Sequence, residues 1–305
     1  MTTDSTSAPS RLALGVAFAI IYVIWGSTFL GILFATQTLP PFLMASARFL
    51  VAGALLYAWS RLVNGAAAPS FANWRATAIV GTLLLLGGNG LLVWSELRIP
   101  SGVAALLVGT VPCFMVLLDW LRPGGARPTG LVIAGLLLGL LGLVLLVGPD
   151  NLMGGGRADL LGAVVVVVGS FLWALGSVYS RHAATPSSPF LSTAMQMLGG
   201  GVALLLLSVL LGEPWAFDAS AVSLRSVLGL LYLIVFGSIV AFSAYIWLLR
   251  VSTPTRVSTY AYVNPVIAVI LGWAFAGEDL TPRMAIAAAV IVSGVALITL
   301  APKRV

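Results

Sequence analysis

The stretch from Leu12 to Phe34 runs 23 residues without a charge, and this feature limits the folds open to the chain. About 20 helical residues cross the ~30 Å hydrocarbon core of a bilayer. In hydrocarbon, only helices and closed barrels satisfy their own backbone groups. Similar runs recur near 12–35, 40–60, 76–95, 101–121, 129–148, 160–180, 189–211, 226–249, 255–276 and 282–300, which gives ten expected spans. Turn residues separate them, as at Leu39-Pro40-Pro41, Asn64-Gly65, Pro100-Ser101-Gly102, Pro123-Gly124-Gly125, Pro149-Asp150-Asn151, Pro186-Ser187-Ser188 and Thr253-Pro254. The loops between them are too short for a soluble domain. Only 8% of the residues are charged, against roughly 25% in soluble domains. The expected class is therefore an all-α polytopic membrane protein, one transmembrane domain over 1–305.

The net charge of +6 would suggest a nucleic-acid partner in a soluble chain. Here it is read loop by loop, because Lys and Arg near span ends set topology. With the N-terminus inside, the inner loops and ends hold Arg11, Arg61, Arg75, Arg122, Arg127, Arg181, Arg250, Arg256, Lys303 and Arg304. The outer loops hold Arg98, Arg157, Arg225 and Arg283. This asymmetry puts both termini in the cytoplasm and leaves no nucleic-acid partner. The polar start MTTDSTSAPSR lacks a cleavage signal, so the first span is expected to be retained. The lone Cys113 excludes an internal disulfide and a CxxC metal or redox site.

The chain reads as two copies of one unit, about 11–148 and about 159–301. Trp25, central in the first span, returns as Trp173 in the sixth, 148 residues on. The same offset carries Pro41-Phe42-Leu43 onto Pro189-Phe190-Leu191 and Arg48 onto Gln196, and slightly longer offsets carry Arg75 onto Arg225, Pro112 onto Pro265 and Trp120 onto Trp273. Five crossings per unit mean that the second starts outside, so the repeats are inverted, the build of secondary transporters with substrate near the midplane.

The polar interior is mostly neutral. Every carboxylate (Asp4, Glu96, Asp119, Asp150, Asp159, Glu213, Asp218, Glu278, Asp279) falls at or near a span end, which argues against an exporter of quaternary cations. The single lysine, Lys303, argues against a sugar-phosphate site, and His182 belongs to a loop. Tyr22 and Trp25 share a face of the first span; Ser170, Trp173 and Ser177 share one of the sixth. Asn89 stands among glycines, and Tyr260 and Asn264 stack four apart before Pro265. We take Tyr22, Trp25, Asn89, Trp173, Ser177, Tyr260 and Asn264 as the candidate substrate lining. Running in opposite directions, the two repeats would place Trp25 just outside the midplane and Trp173 just inside it, bracketing the substrate. Pro112 and Pro265 are candidate helix breaks or gates, since each removes a backbone donor within a span. Arg48, about eight residues into the second span, is deep enough to need a partner. It either docks a substrate carboxylate or pairs with carbonyls at a neighbouring helix end. No HExxH, Gly-x-Ser-x-Gly or phosphate-binding loop is present, so neither an enzyme nor a cofactor is expected.

Trp25-Gly-Ser-Thr-Phe29, Ala47-Arg48-Phe49, Thr110-Val-Pro112, Tyr262-Val-Asn264-Pro265 and Gly277-Glu278-Asp279-Leu280-Thr281-Pro282 resemble the drug/metabolite transporter superfamily, EamA type. The resemblance covers nearly the whole chain. It implies a central cavity enclosed by the first four spans of each repeat, the fifth and tenth lying peripherally. It also implies export of amino acids and related metabolites, with the aromatic and neutral amino-acid exporters as the suggested branch. Exporters of other metabolites or drugs, and a channel or scaffold, are the alternatives. The family's Gly-Glu is kept at Gly277-Glu278 but replaced by Gly124-Gly125 in the first unit, so a symmetric pair of glutamates is not available. Because the Arg-Phe pattern looks family-wide, pairing of Arg48 with carbonyls is the favoured reading.

The charge asymmetry predicts that a reporter fused at residue 184, in the loop of Arg181 and His182, is active only when it reads the cytoplasm. Activity confined to the outer side would overturn the inverted arrangement.

Overall fold

The computed structural model describes residues 10–99, 104, 107–125, 127–147, 160–276 and 281–302. A helix stands on each apolar run: α1 (Arg11–Ala35), α2 (Pro41–Leu62), α3 (Phe71–Glu96), α4 (Val111–Leu121), α5 (Gly130–Val147), α6 (Leu160–Ser180), α7 (Pro189–Leu210), α8 (Leu224–Val251), α9 (Tyr260–Ala276) and α10 (Pro282–Leu300). Seven of these, α1, α2, α3, α6, α7, α8 and α10, are long and apolar enough to cross a membrane, while α4 and α5 are shorter apolar helices. The described residues contain no strand.

Local chemistry explains the ends. Prolines open α2, α7 and α10, where the missing N–H would have had no partner. The remaining free donors of α2 find a carboxylate: Phe42 N and Leu43 N donate to Glu213 at 3.2 and 2.7 Å, and Ser208 Oγ donates to the same group at 2.7 Å. Glu213 opens a short helix, Glu213–Ala216, just beyond α7. Its negative charge also suits the positive end of the α2 dipole.

Three elements depart from the sequence reading. The third span begins at Phe71 rather than near 76 because Ser70 and Asn73 form a reciprocal capping box, at 2.9 and 3.2 Å, ahead of Arg75. The ninth run divides into Pro254–Val257 and α9. Ser258 and Thr259 turn their hydroxyls back onto Thr255 O and Arg256 O, at 2.9 and 2.7 Å, and end the first piece. Pro112, expected inside a span, is the second residue of α4 and follows a turn at Gly109-Thr110; a ring without an N–H fits a first helical turn. Pro265 does lie inside α9. The turns at 100–102 and 149–151, Arg157, Asp159, Gly277-Glu278-Asp279-Leu280, Asp4, Lys303 and Arg304 fall outside the described residues, as does the Trp273 side chain.

Two helices widen midway into π-helical turns, α3 over Thr82–Gly90 and α8 over Leu233–Phe242. Helix pairing follows a pattern. α2 packs on α7 and α5 on α10; α1 packs on α8 and α9, while α6 packs on α3 and α4; α8 meets α2 as α3 meets α7. These chief pairings survive when each helix is exchanged for the one five places away. The outer surface carries Leu12, Val16, Leu137, Leu206, Leu210 and Val292 in exposed positions, an apolar coat that acyl chains would cover.

Close crossings depend on small residues, as in other helical membrane proteins. At the α3–α7 crossing, a Cβ on Gly200 would lie 2.8 Å from Leu85 Cβ and 2.9 Å from the Gly81 carbonyl carbon, whereas one on Gly15 would meet nothing within 4 Å. Gly200→Val is therefore expected to destabilise the purified protein by about 1–3 kcal/mol, the usual cost of overpacking. Gly15→Val is expected to leave thermal unfolding in detergent nearly unchanged. Equal melting of the two variants would show that the crossing is not tight.

Candidate functional site

α1, α2, α3, α6, α8 and α9, with Val111 at the start of α4 and Val108 just ahead of the turn before it, surround a central cavity. It holds about 770 Å³ of empty space, counting the part open to the outside. α5 and α10 contribute nothing to the lining, and neither does α7, which was expected to help enclose the cavity; α5 and α10 bury Leu143, Ile291 and Ile298 with Tyr262 in a cluster of their own. The wall is mainly apolar and aromatic, and no carboxylate lines it among the described residues.

One side of the cavity is an aromatic cluster. Trp25 and Trp173 meet edge to face with ring centroids 5.6 Å apart, and Tyr260 stands edge-on to Trp25 at 4.9 Å. Tyr245, fully buried in α8, lies 5.0 Å from Trp25, 5.5 Å from Trp173 and 5.7 Å from Tyr260. Such tilted and edge contacts suit the ring quadrupoles. The indole donors are satisfied as burial requires: Trp25 Nε1 reaches Gly237 O at 3.1 Å and Trp173 Nε1 reaches Tyr245 Oη at 2.9 Å. Each tryptophan also packs against the widened turn of a helix from the other half. Trp173 fills the place that a side chain on Gly88 would take, and Trp25 bonds the carbonyl of Gly237.

Of the residues expected to form the lining, Trp25, Asn89, Trp173, Tyr260 and Asn264 border the cavity. The two tryptophans touch and so make one wall instead of facing plates. Tyr22 and Ser177 do not border it. Tyr22 Oη is held by Thr259 Oγ1 at 2.6 Å. Ser177 Oγ donates to Trp173 O at 2.6 Å and lies 2.5 Å from Tyr245 Oη. Their helical spacing from Trp25 and Trp173 gave the right face, but one turn along the helix that face is already packed. Asn264 reaches Tyr260 O at 3.0 Å and Tyr22 O at 3.1 Å once its amide is oriented to donate. It thereby ties α9 to α1 beside Pro265.

The sequence reading missed Phe242, which borders the cavity, and Tyr245, which packs on both tryptophans. Of its two readings of Arg48, the favoured one is not what the described residues show. Arg48 is 4% exposed, borders the cavity, and donates from Nε to Ser238 Oγ at 2.7 Å. The expected helix-end carbonyls are not its partners. Gly237 makes room for it, since a Cβ there would lie 2.8 Å from Nη2.

Comparison with known proteins agrees with this architecture. A profile of the EamA-like transporter family matches residues 13–148 and again 160–300. An uncharacterized inner membrane transporter of Escherichia coli, YedA, is 39% identical over 94% of this chain and 90% of its own length. An uncharacterized transporter of Archaeoglobus fulgidus is 28% identical over 92% and 95% of the two chains. A WAT1-related chloroplastic protein of Arabidopsis thaliana is 27% identical over 91% of this chain and 67% of its own length. One solved crystal structure shares the fold with a TM-score of 0.76 at 23% identity, covering 95% of this chain and 98% of that one. Two family matches that together span nearly all of a helical chain built around one cavity lead to one conclusion: this protein is a membrane transporter belonging to the EamA-like family.

Proposed function

We propose that this transporter is a secondary carrier of the cytoplasmic, or inner, membrane that exports neutral amino acids, including aromatic and other large hydrophobic ones, by alternating access. In this reading its ten helices form two inverted five-helix repeats, with both termini cytoplasmic. The observation that carries it is the cavity itself, bounded by helices of both halves, walled by Trp25, Trp173 and Tyr260, and free of lining carboxylates among the described residues. Such a wall suits an amphipathic solute without net positive charge. The pairing pattern, in which α1 packs on α8 and α9 as α6 packs on α3 and α4, supports a duplicated unit. The double family match supports it too. Halves joined across a shared cavity can rock about a fixed site.

An aromatic ring stacked on an indole gains roughly 0.5–1.5 kcal/mol beyond its buried area. Trp25→Ala and Trp173→Ala are therefore expected to lower liposome uptake of phenylalanine relative to threonine by about fivefold, roughly 1 kcal/mol, after normalisation to folded protein. Unchanged selectivity in well-folded variants would remove both indoles from the site.

With no carboxylate in the lining among the described residues, uptake is expected to run down a substrate gradient without strict need of an imposed pH gradient. If uptake stops when only the proton gradient is collapsed, Glu96 is the group to substitute. It lies four residues beyond the cavity residue Leu92 on α3, and its Oε1 is buried without a partner.

A further inference from the structure

The polar groups of the cavity do not close among themselves. Arg48 brings a positive charge to the wall and is paired with no carboxylate among the described residues. Among the described residues its one hydrogen bond runs from Nε to the neutral hydroxyl of Ser238, and neither Nη donates to an acceptor. The guanidinium carbon also lies 4.7 Å from the Phe49 ring centroid, a contact that orients the fork but brings no negative charge. Two further lining residues hold buried polar atoms without a hydrogen-bond partner, the amide oxygen Asn89 Oδ1 on α3 and the hydroxyl Ser170 Oγ on α6, which can accept as well as donate. Polar groups left open in a buried site are costly, so what remains open describes the missing ligand. Here that is one cationic fork of donors and two neutral oxygens able to accept.

We propose that Arg48 docks the substrate's carboxylate while Asn89 Oδ1 and Ser170 Oγ accept from its ammonium group, so that the site recognises the zwitterionic head shared by α-amino acids. This rests on the amino-acid reading above and names the groups that would perform the recognition. A guanidinium fork matches a carboxylate with two parallel hydrogen bonds. An ammonium offers three donors and no acceptor, which suits an amide oxygen and a hydroxyl. Neutral acceptors suffice because the substrate carries its own negative charge. A zwitterion supplies the anion that Arg48 lacks and adds no net charge to the cavity. An amine without a carboxylate would instead set a second positive charge near Arg48. A carboxylic acid without an amine would answer Arg48 and leave the two acceptors open. The side chain is then left to Trp25, Trp173 and Tyr260, which explains how one head-group site could serve several neutral amino acids.

The test is calorimetric titration of the purified carrier in detergent with phenylalanine, 3-phenylpropionate, phenylalaninamide and phenethylamine. In the unmodified protein, phenylalanine is expected to bind at least tenfold more tightly than the amide or the amine, with 3-phenylpropionate between. Arg48→Gln should weaken phenylalanine and 3-phenylpropionate at least tenfold, and Arg48→Lys should weaken them less, since it keeps the charge and loses the fork. Asn89→Ala and Ser170→Ala should weaken phenylalanine and leave 3-phenylpropionate unchanged. Phenylalaninamide binding as tightly as phenylalanine would overturn the proposal without recourse to any variant, so a poorly folded Arg48→Gln does not protect it. Amino acids bound equally by folded Arg48→Gln and the unmodified protein would overturn the dock while leaving amino-acid transport standing. Arg48-dependent binding of 3-phenylpropionate with no binding of any amino acid would keep the dock, and would overturn both the ammonium acceptors and the amino-acid reading.

Discussion

Hydrocarbon offers no hydrogen-bond partner, and the distribution of polar groups in this protein follows from that absence. Hydroxyls on the helices mostly fold back onto carbonyls of their own chain, as Thr77 does to Asn73 O at 2.7 Å, Ser95 to Leu91 O at 2.7 Å and Ser293 to Ala289 O at 2.8 Å. Larger polar groups find partners across helices. Trp25 bonds Gly237, Trp173 bonds Tyr245, and Ser226 Oγ bonds Phe34 O at 2.8 Å. Helix ends are closed by serines, threonines and, at α2, the carboxylate of Glu213. Buried polar atoms without a partner remain at Ser46, Ser60, Glu96, Gln196 and Ser243 as well as at Asn89 and Ser170, but of these only Asn89 and Ser170 border the central cavity beside the open fork of Arg48.

The same constraint explains why the interior is crowded with small residues. A helix cannot approach another to bond across it unless the space is cleared, and Gly237 clears it for Arg48 and Thr28 while its carbonyl accepts from Trp25. The aromatic cluster then has a structural and a functional aspect that cannot be separated by position alone. Trp173 holds α6 against the widened turn of α3, while its ring faces the cavity. A residue in this position transmits any change at the cavity wall directly to a helix crossing.

Much of the helix order was legible because each run had its own punctuation. Pro40-Pro41, Pro189 and Pro282 mark helix starts by the chemistry of a missing N–H, and long uncharged runs admit no other fold in a bilayer. Boundaries failed where a side chain, not the hydropathy, decided them, as at the Ser70–Asn73 box, which begins α3 ahead of a charged residue. In the cavity, Trp25, Trp173, Asn89, Tyr260 and Asn264 were found from interior polarity and helical spacing. Tyr22 and Ser177 share that spacing, yet their hydroxyls are taken by Thr259 and Tyr245, partners 237 and 68 residues away in the chain. No local pattern reveals such a partner. Ser238, which holds Arg48 from 190 residues away, escaped for the same reason.

The widened turns of α3 and α8 carry a consequence of a different kind. In a π-helical turn the hydrogen bonds span one residue more than in an α-helix, so the chain holds a surplus residue within the same run. Removing one residue from Thr82–Gly90 would let α3 close to ordinary pitch with its far end, and the cavity residue Leu92, kept near its present face. What would be lost is the local widening against which Trp173 packs at Gly88. The width of the cavity is thus recorded partly in the residue count of these two segments, and partly in the glycines, Gly88 and Gly237, that leave room there for Trp173 and Arg48.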